Sequence, residues 1–163
     1  DNHFGVLARI SGLFSARGYN IESLCVGVTE DPSVSRMTVA AHGDERVLEQ
    51  IVNQLHKLVE VIEVKDLTRE KHVERELVLI KVAADASRRT ELLEICSIFR
   101  AKVIDMSAEA VIIEVTGSED KLAAFIDMIR PFGIAEIART GKIALSRTLN
   151  GQLIKSDGAK SAS

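Results

Sequence analysis

The chain has 163 residues, 46% of them apolar and 28% charged, with 21 Lys and Arg set against 24 Asp and Glu for a formal charge of −3. This supplies enough apolar material for one or two compact domains and excludes a disordered tail as the whole, while the scattered basic residues form no stripe to neutralise a phosphate backbone, which argues against a nucleic-acid partner. No apolar run approaches the length of a membrane span and no secretory pattern opens the chain, so the expected setting is the cytosol or an organelle stroma, away from any membrane.

The first element is the most telling. Val6, Leu7, Ile10, Leu13 and Phe14 recur at the three-to-four spacing of one buried helix face, which predicts a helix from about Gly5 to Arg17. Gly18 follows where chains leave helices through a left-handed residue. At the start, the first backbone N–H groups have no intrahelical partner, and Gly5 has no side chain to keep a ligand from them. Such a helix end attracts anions, so it could hold a small carboxylate. Asn2 could cap the helix or donate its amide to a ligand, and Asn20 and Ile21 return just after the helix with one polar and one apolar side chain. Gly12, on the same face as Gly5, would permit another backbone to approach, although a tolerated helix glycine costs only about 1 kcal/mol relative to Ala.

Next come two β-rich runs, ESLCVGVTE and SRMTVAAHG, separated by Asp31-Pro32-Ser33, a hairpin pattern. A second helix carries Val47, Leu48, Ile51, Val52, Leu55 and Leu58, with Gly43 and Asp44 as cap residues. VEVIEVKDL reads as another strand, and Thr68 to His72 as a linker. Beyond it the same order returns: strand ELVLIKVA, helix from Ser87 to Arg100, strands KVIDMSA and VIIEVTG, helix from Ser118 to Ile129, and strand IAEIART. The closing TLNGQLIKSDGAKSAS is polar, small and aperiodic, and reads as a frayed tail.

The order is an internal repeat. A slide of 85 carries Leu7, Ile10 and Phe14 onto Leu92, Ile95 and Phe99; a slide of 74 carries Leu48, Ile51, Val52 and Leu55 onto Leu122, Phe125, Ile126 and Ile129, and Gly43 onto Gly117. The second copy keeps the packing residues yet replaces Asn2, Gly5, Gly18 and Asn20 by Ser87, Thr90, Val103 and Asp105. Packing alone would treat both helix starts alike, so the asymmetry favours a ligand site in the first copy. The second copy also opens on a strand that the first lacks. In a β-α-β-β-α-β sheet that strand is central, which predicts about five to ten further residues upstream in the native chain.

Other chemistry is thinly represented. Cys25 and Cys96 stand apart and read as buried reduced thiols, and His3, His42, His56 and His72 are dispersed, so a metal site has little support. No nucleophile sits by a base and no glycine loop is built to cradle phosphate, which weakens an enzyme reading. The same topology serves RNA recognition, but VIIEVTG and SRMTVAA carry no aromatic residue for base stacking. No helix-turn-helix is left over for DNA.

NHFGVL, RGYNIESL, SRMTV, VERELVLIKV, FRAKVIDM and RTGKIALSR, in this order, together resemble the regulatory (small) subunit family of acetolactate synthase, also called acetohydroxyacid synthase, over Asp1 to about Arg147. The resemblance implies an α+β chain of two tandem ferredoxin-like (βαββαβ) domains. An amino-acid-binding and dimerising ACT domain would span 1–68, a linker 69–72, a C-terminal ACT-like regulatory domain 73–149 and a flexible tail 150–163. It further implies homodimers joined through the ACT domains, and a branched-chain amino acid, usually valine, bound at their interface as a feedback inhibitor. Asn2, Gly5, Val6 and Leu7 would surround its carboxylate and side chain, with Asn20 and Ile21 of the neighbouring chain closing the pocket. The chain would carry no catalytic site and no cofactor of its own. Its partner would be the large catalytic subunit, which holds thiamine diphosphate, magnesium and FAD. The alternative is an amino-acid sensor attached to another metabolic enzyme.

Overall fold

A computed structural model describes residues 5–148; Asn2 and the predicted tail at 150–163 lie outside the described residues. The elements follow as α1 (Val6–Ala16), β1 (Asn20–Val28), β2 (Ser35–His42), α2 (Glu45–Leu55), β3 (His72–Ala83), α3 (Arg89–Phe99), β4 (Lys102–Met106), β5 (Ala110–Gly117), α4 (Glu119–Ile129), a 3-10 turn at Arg130–Phe132, β6 (Ile134–Arg139) and β7 (Ile143–Ser146). The result is an α+β chain of two ferredoxin-like units.

In the second unit the sheet order is β4-β5-β3-β6, with every pair antiparallel. The two periodicities of the sequence meet here. Val78, Ile80 and Val82 alternate inward along β3, as do Val111, Ile113 and Val115 along β5, and Leu92, Ile95, Leu122, Phe125, Ile126 and Ile129 cover them from α3 and α4. Phe99 and Phe125 add a tilted ring contact with centroids 5.3 Å apart.

The first unit shows the α-β-β-α part of the same plan. β1 and β2 form the predicted hairpin, paired in register from Asn20 opposite His42 to Val28 opposite Ser35. Asp31 organises the turn by accepting hydrogen bonds from the Ser33 N–H at 2.9 Å and the Ser33 hydroxyl at 2.7 Å. Ile10, Phe14 and Ile51 are its buried residues, with Tyr19, Ile21, Met37 and Val39 packed around them. Asp44 caps α2 through the Val47 N–H at 2.9 Å. Gly43 precedes Asp44 and Gly117 precedes Ser118, the N-cap residues of α2 and α4, and a Cβ on either glycine would stand 2.5 Å from a side-chain carbon four residues on, in Val47 or Lys121. This shared constraint bears out the register of the second slide.

Three expectations need correction. Val59 to Leu67 forms no strand. Its counterpart β6 pairs with β3, the strand that opens the second unit, and the first unit has no equivalent of β3 among the described residues, so the segment has no ladder to join. Leu7, read as part of the buried stripe, is exposed, because the packed cluster takes Val6, Ile10, Leu13 and Phe14 from α1 and leaves Leu7 outside that face. Cys96 is buried as expected, with burial pushing its thiol up, but Cys25 is only half-buried because it lies on the open face of the two-stranded sheet.

β3 extends further back than ELVLIKVA. Its residues His72 to Arg75 pair with β7, a short strand absent from the expectations, and its start lies within the stretch read as linker. β6 and β7 follow the same run of β3: Val78 faces Arg139, Arg75 faces Ile143, and between them Thr140, Gly141 and Lys142 stand against Glu76 and Leu77. The extra residue is a bulge. Thr140 stays on the ladder through its N–H to the Leu77 carbonyl at 3.1 Å. Gly141 and Lys142 are pushed outward and meet the first unit.

Candidate functional site

Among the described residues, nothing covers the start of α1. Gly5 is its N-cap residue at φ 87°, in the left-handed region, and no side chain caps the helix among the described residues. The Gly5 carbonyl accepts from the Arg9 N–H at 2.9 Å, which begins the helical ladder. The amides of Val6, Leu7 and Ala8 precede that first bond and point out of the helix end. A Cβ on Gly5 would find nothing within 4 Å. No acidic residue stands in the first turn of α1 to occupy its positive end. Val6 is half-buried and Leu7 is 47% exposed, so an apolar wall lies beside the amides.

The approach to α3 in the second unit holds a carboxylate, although the first turn of α3, like that of α1, has no side-chain cap among the described residues. Before α3, the Asp85 carboxylate accepts from the Ser87 N–H at 3.0 Å, the Ser87 hydroxyl at 2.6 Å and the Arg88 N–H at 3.2 Å. The Ser87 hydroxyl, followed by the Arg88 amide, holds the Asp85 carboxyl below its ordinary range. Among the described residues, which begin at Gly5, only the approach to α3 shows such a carboxylate.

Asn20 opens β1 and is exposed, whereas Ile21 turns inward against the Ile10 and Phe14 cluster. The 11 residues of α1 lie between Gly5 and this pair. Helical rise puts roughly 16 Å of axis between the two ends, more than one small amino acid spans. A single chain therefore assembles Gly5, Val6 and Leu7 on one side and Asn20 and Ile21 on the other, without bringing them together. Gly12 is exposed, with open space where its Cβ would be.

The joint between units was not anticipated as a site. A cavity of about 260 Å³ is bordered by Glu22, Ser23 and Leu24 of β1 and by Glu76, Arg139 and the Thr140–Lys142 bulge. The Lys142 N–H donates to the Ser23 hydroxyl at 3.3 Å. The Lys142 ammonium lies 2.7 Å from Glu119 and 3.6 Å from Glu22, so one cation bridges the two units. Its hydrogen bond to Glu119 raises the Lys142 pKa and lowers that of Glu119. Glu76, only 6% exposed, is paired with Arg139 at 3.2 Å, as a buried carboxylate requires. The signal in the sequence was the Thr140-Gly141-Lys142 turn. Its reach to the first unit is a tertiary fact that local pattern does not carry. Among the described residues no group of three metal-ligating side chains occurs, and no helix is long and apolar enough to cross a membrane.

Comparison with known proteins bears on both units. Residues 1–63 match the family described as the AHAS small subunit-like ACT domain, and residues 75–148 match the small subunit of acetolactate synthase. The chain is 54% identical over 147 residues to the probable acetolactate synthase small subunit of Archaeoglobus fulgidus, covering 90% of this chain and 92% of that protein. It is 53% identical over 150 residues to the acetolactate synthase small subunit of Aquifex aeolicus, covering 91% and 78%. The crystal structure of the small subunit from Thermotoga maritima superposes with a TM-score of 0.82 at 44% identity, covering 90% of this chain and 92% of that one.

Proposed function

The chain belongs to the acetolactate synthase small-subunit family, and from that membership we propose that it raises the activity of the large, thiamine-diphosphate-dependent catalytic subunit and imposes feedback inhibition by valine. It acts as a regulator with no catalytic site and no cofactor of its own. Thiamine diphosphate, magnesium and FAD belong to the catalytic subunit. Its place is the bacterial cytoplasm or, for a plant form, the plastid stroma.

The start of α1 at Gly5, left-handed and uncapped by any described side chain, with no acid in its first turn, carries this reading. A zwitterionic ligand needs donors for its carboxylate and acceptors for its ammonium. The amides of the first turn supply the donors, and Asn side-chain oxygens or free backbone carbonyls supply the acceptors. Charge-assisted hydrogen bonds of this kind contribute about 1.5–3 kcal/mol each. Val6 and Leu7 then sort side chains, with one methylene worth about 1–3 kcal/mol, so discrimination among valine, leucine and isoleucine is partial.

The length of α1 between Gly5 and Asn20 favours a pocket completed by two chains, Gly5, Val6 and Leu7 coming from one protomer and Asn20 and Ile21 from its partner, with Asn2 beside the carboxylate. A ligand shared in this way favours the dimer geometry that closes on it, and a coupling of about 1–3 kcal/mol suffices for regulation. Calorimetric titration with valine, leucine and isoleucine, beside assays of the catalytic subunit with and without this chain, tests the proposal. Heat with valine and a valine-sensitive rise in activity are expected. No heat with any of the three would remove the sensor role, and heat without any effect on the catalytic subunit would make the chain a sensor for another enzyme.

A further inference from the structure

Between the open face of the β1–β2 sheet and the β3–β7 ribbon lies an apolar notch of about 370 Å³. Cys25, Gly27 and Thr38 form one wall, and Val73, Ile143 and Leu145 the other. Its rim is more exposed than a monomer's core edge requires: Val28 is 69% exposed, Leu145 59% and Ile143 55%.

Two guanidinium groups flank these walls, Arg36 from β2 and Arg75 from β3. Arg69, Arg88, Arg130 and Arg139 each reach a carboxylate. Among the described residues Arg36 and Arg75 reach none; Arg75 donates only to its neighbour's carbonyl, that of Glu74, at 2.6 Å. The lining contains no Asp or Glu. A free amino acid would therefore set its ammonium between two cations with no carboxylate to accept it, so this notch differs in kind from the α1 site. What it complements is an apolar side chain beside a carboxylate, with no compensating positive charge.

We infer that the notch is the docking surface for a segment of the catalytic subunit that presents a large apolar side chain next to an Asp or Glu. This rests on the regulatory reading above and adds to it the place of contact. The walls come from both units, so a segment seated there bears on β1, which opens with Asn20 and Ile21, and on the β3–β7 ribbon of the second unit at once.

The test uses the full chain and the catalytic subunit, comparing wild type with Arg36→Glu/Arg75→Glu and Arg36→Lys/Arg75→Lys in sedimentation velocity and titration. Charge reversal should weaken association by about tenfold or more, the lysine pair should retain it, and wild-type association should weaken as salt rises. Valine heat on the chain alone should be unchanged, since neither arginine belongs to the α1 site. Val28→Ser, at an exposed position, should weaken association likewise and keeps the test decisive if the double reversal loses its fold. Unchanged association in the reversed variant and in Val28→Ser overturns the inference. A reversal that instead alters the mass of the chain alone also overturns it, by making the notch a contact between copies. A wild type that binds valine but no catalytic subunit overturns the regulatory reading itself and is distinguished by that first control.

Discussion

A Cβ on Gly141 would stand 3.3 Å from the carbonyl oxygen of Leu24, so the backbone of the second unit lies close against that of the first, and a side chain there would have to push Leu24 back. Gly141 also holds φ at +84°. Gly141→Ala should therefore be destabilising twice over. The left-handed backbone costs about 1–2 kcal/mol, and the displaced contact with Leu24 adds to it. Each kcal/mol should lower the melting temperature by about 2–4 °C for a chain of this size. Thermal unfolding reads the loss. A melting temperature equal to wild type would show that the joint does not contribute.

The Lys142 bridge gives the joint a pH dependence whose sign follows from its partners. Glu119 is lowered by its hydrogen bond to Lys142, so this carboxylate stabilises the fold above its ordinary titration range and loses that effect as pH falls through the lowered value. Lys142 is raised, so its share is present below the ordinary lysine range and is lost only as pH climbs through the raised value. Lys142→Met should flatten the acid limb of the stability curve. Denaturant unfolding at a series of acidic pH values checks this, and identical acid limbs in both proteins would count against the bridge.

At the α1 site, Gly5→Val should abolish valine heat while the chain still folds, since its Cβ meets nothing within 4 Å among the described residues and would occupy the space proposed for the ligand. The left-handed φ still costs about 1–2 kcal/mol of stability. Calorimetry and melting measured on the same sample separate the two effects.

Asn20→Ala should act on binding alone. Asn20 is exposed, so the substitution should alter stability by no more than about 0.5 kcal/mol. If the proposed pocket holds, loss of the Asn20 hydrogen bond to the ligand should weaken valine by about 1.5–3 kcal/mol. Undiminished affinity would place the effector elsewhere.

Phe125→Ala should cost about 3–5 kcal/mol, because the ring is fully buried between the helices and the sheet. Ile98→Ala should cost far less, since Ile98 is 75% exposed on α3. Paired denaturant titrations read the contrast.

How much of this was legible depended on where each residue finds its partner. The helices and the hairpin could be read because their determinants are local: Ile10 and Phe14 mark a buried stripe, Asp44 a cap, and Asp31 a turn. Gly43 and Gly117 fixed the repeat for the same reason, each being constrained by the side chain four residues on. The strand at Val59 to Leu67 was misread because a strand exists only through its neighbour, and alternating apolar residues do not supply one. β7 escaped because four residues paired on a ribbon, with Ile143 and Leu145 exposed, give no inward alternation to detect. At the candidate site, the bare Gly5 was readable from residue type, whereas its left-handed conformation and the Asp85 carboxylate before α3 emerged only from the fold.

β3 serves two masters along 12 continuous residues: its first four hold β7 beside the first unit, and its remainder runs through the middle of the second. Fully extended, that is a rod of about 40 Å. A load placed on Val73 at one end reaches Val78, Ile80 and Val82 without crossing a hinge, so the molecule has a stiff lever where two linked modules would ordinarily have slack. A displacement at the seam therefore meets the core of the second unit through one unbroken strand.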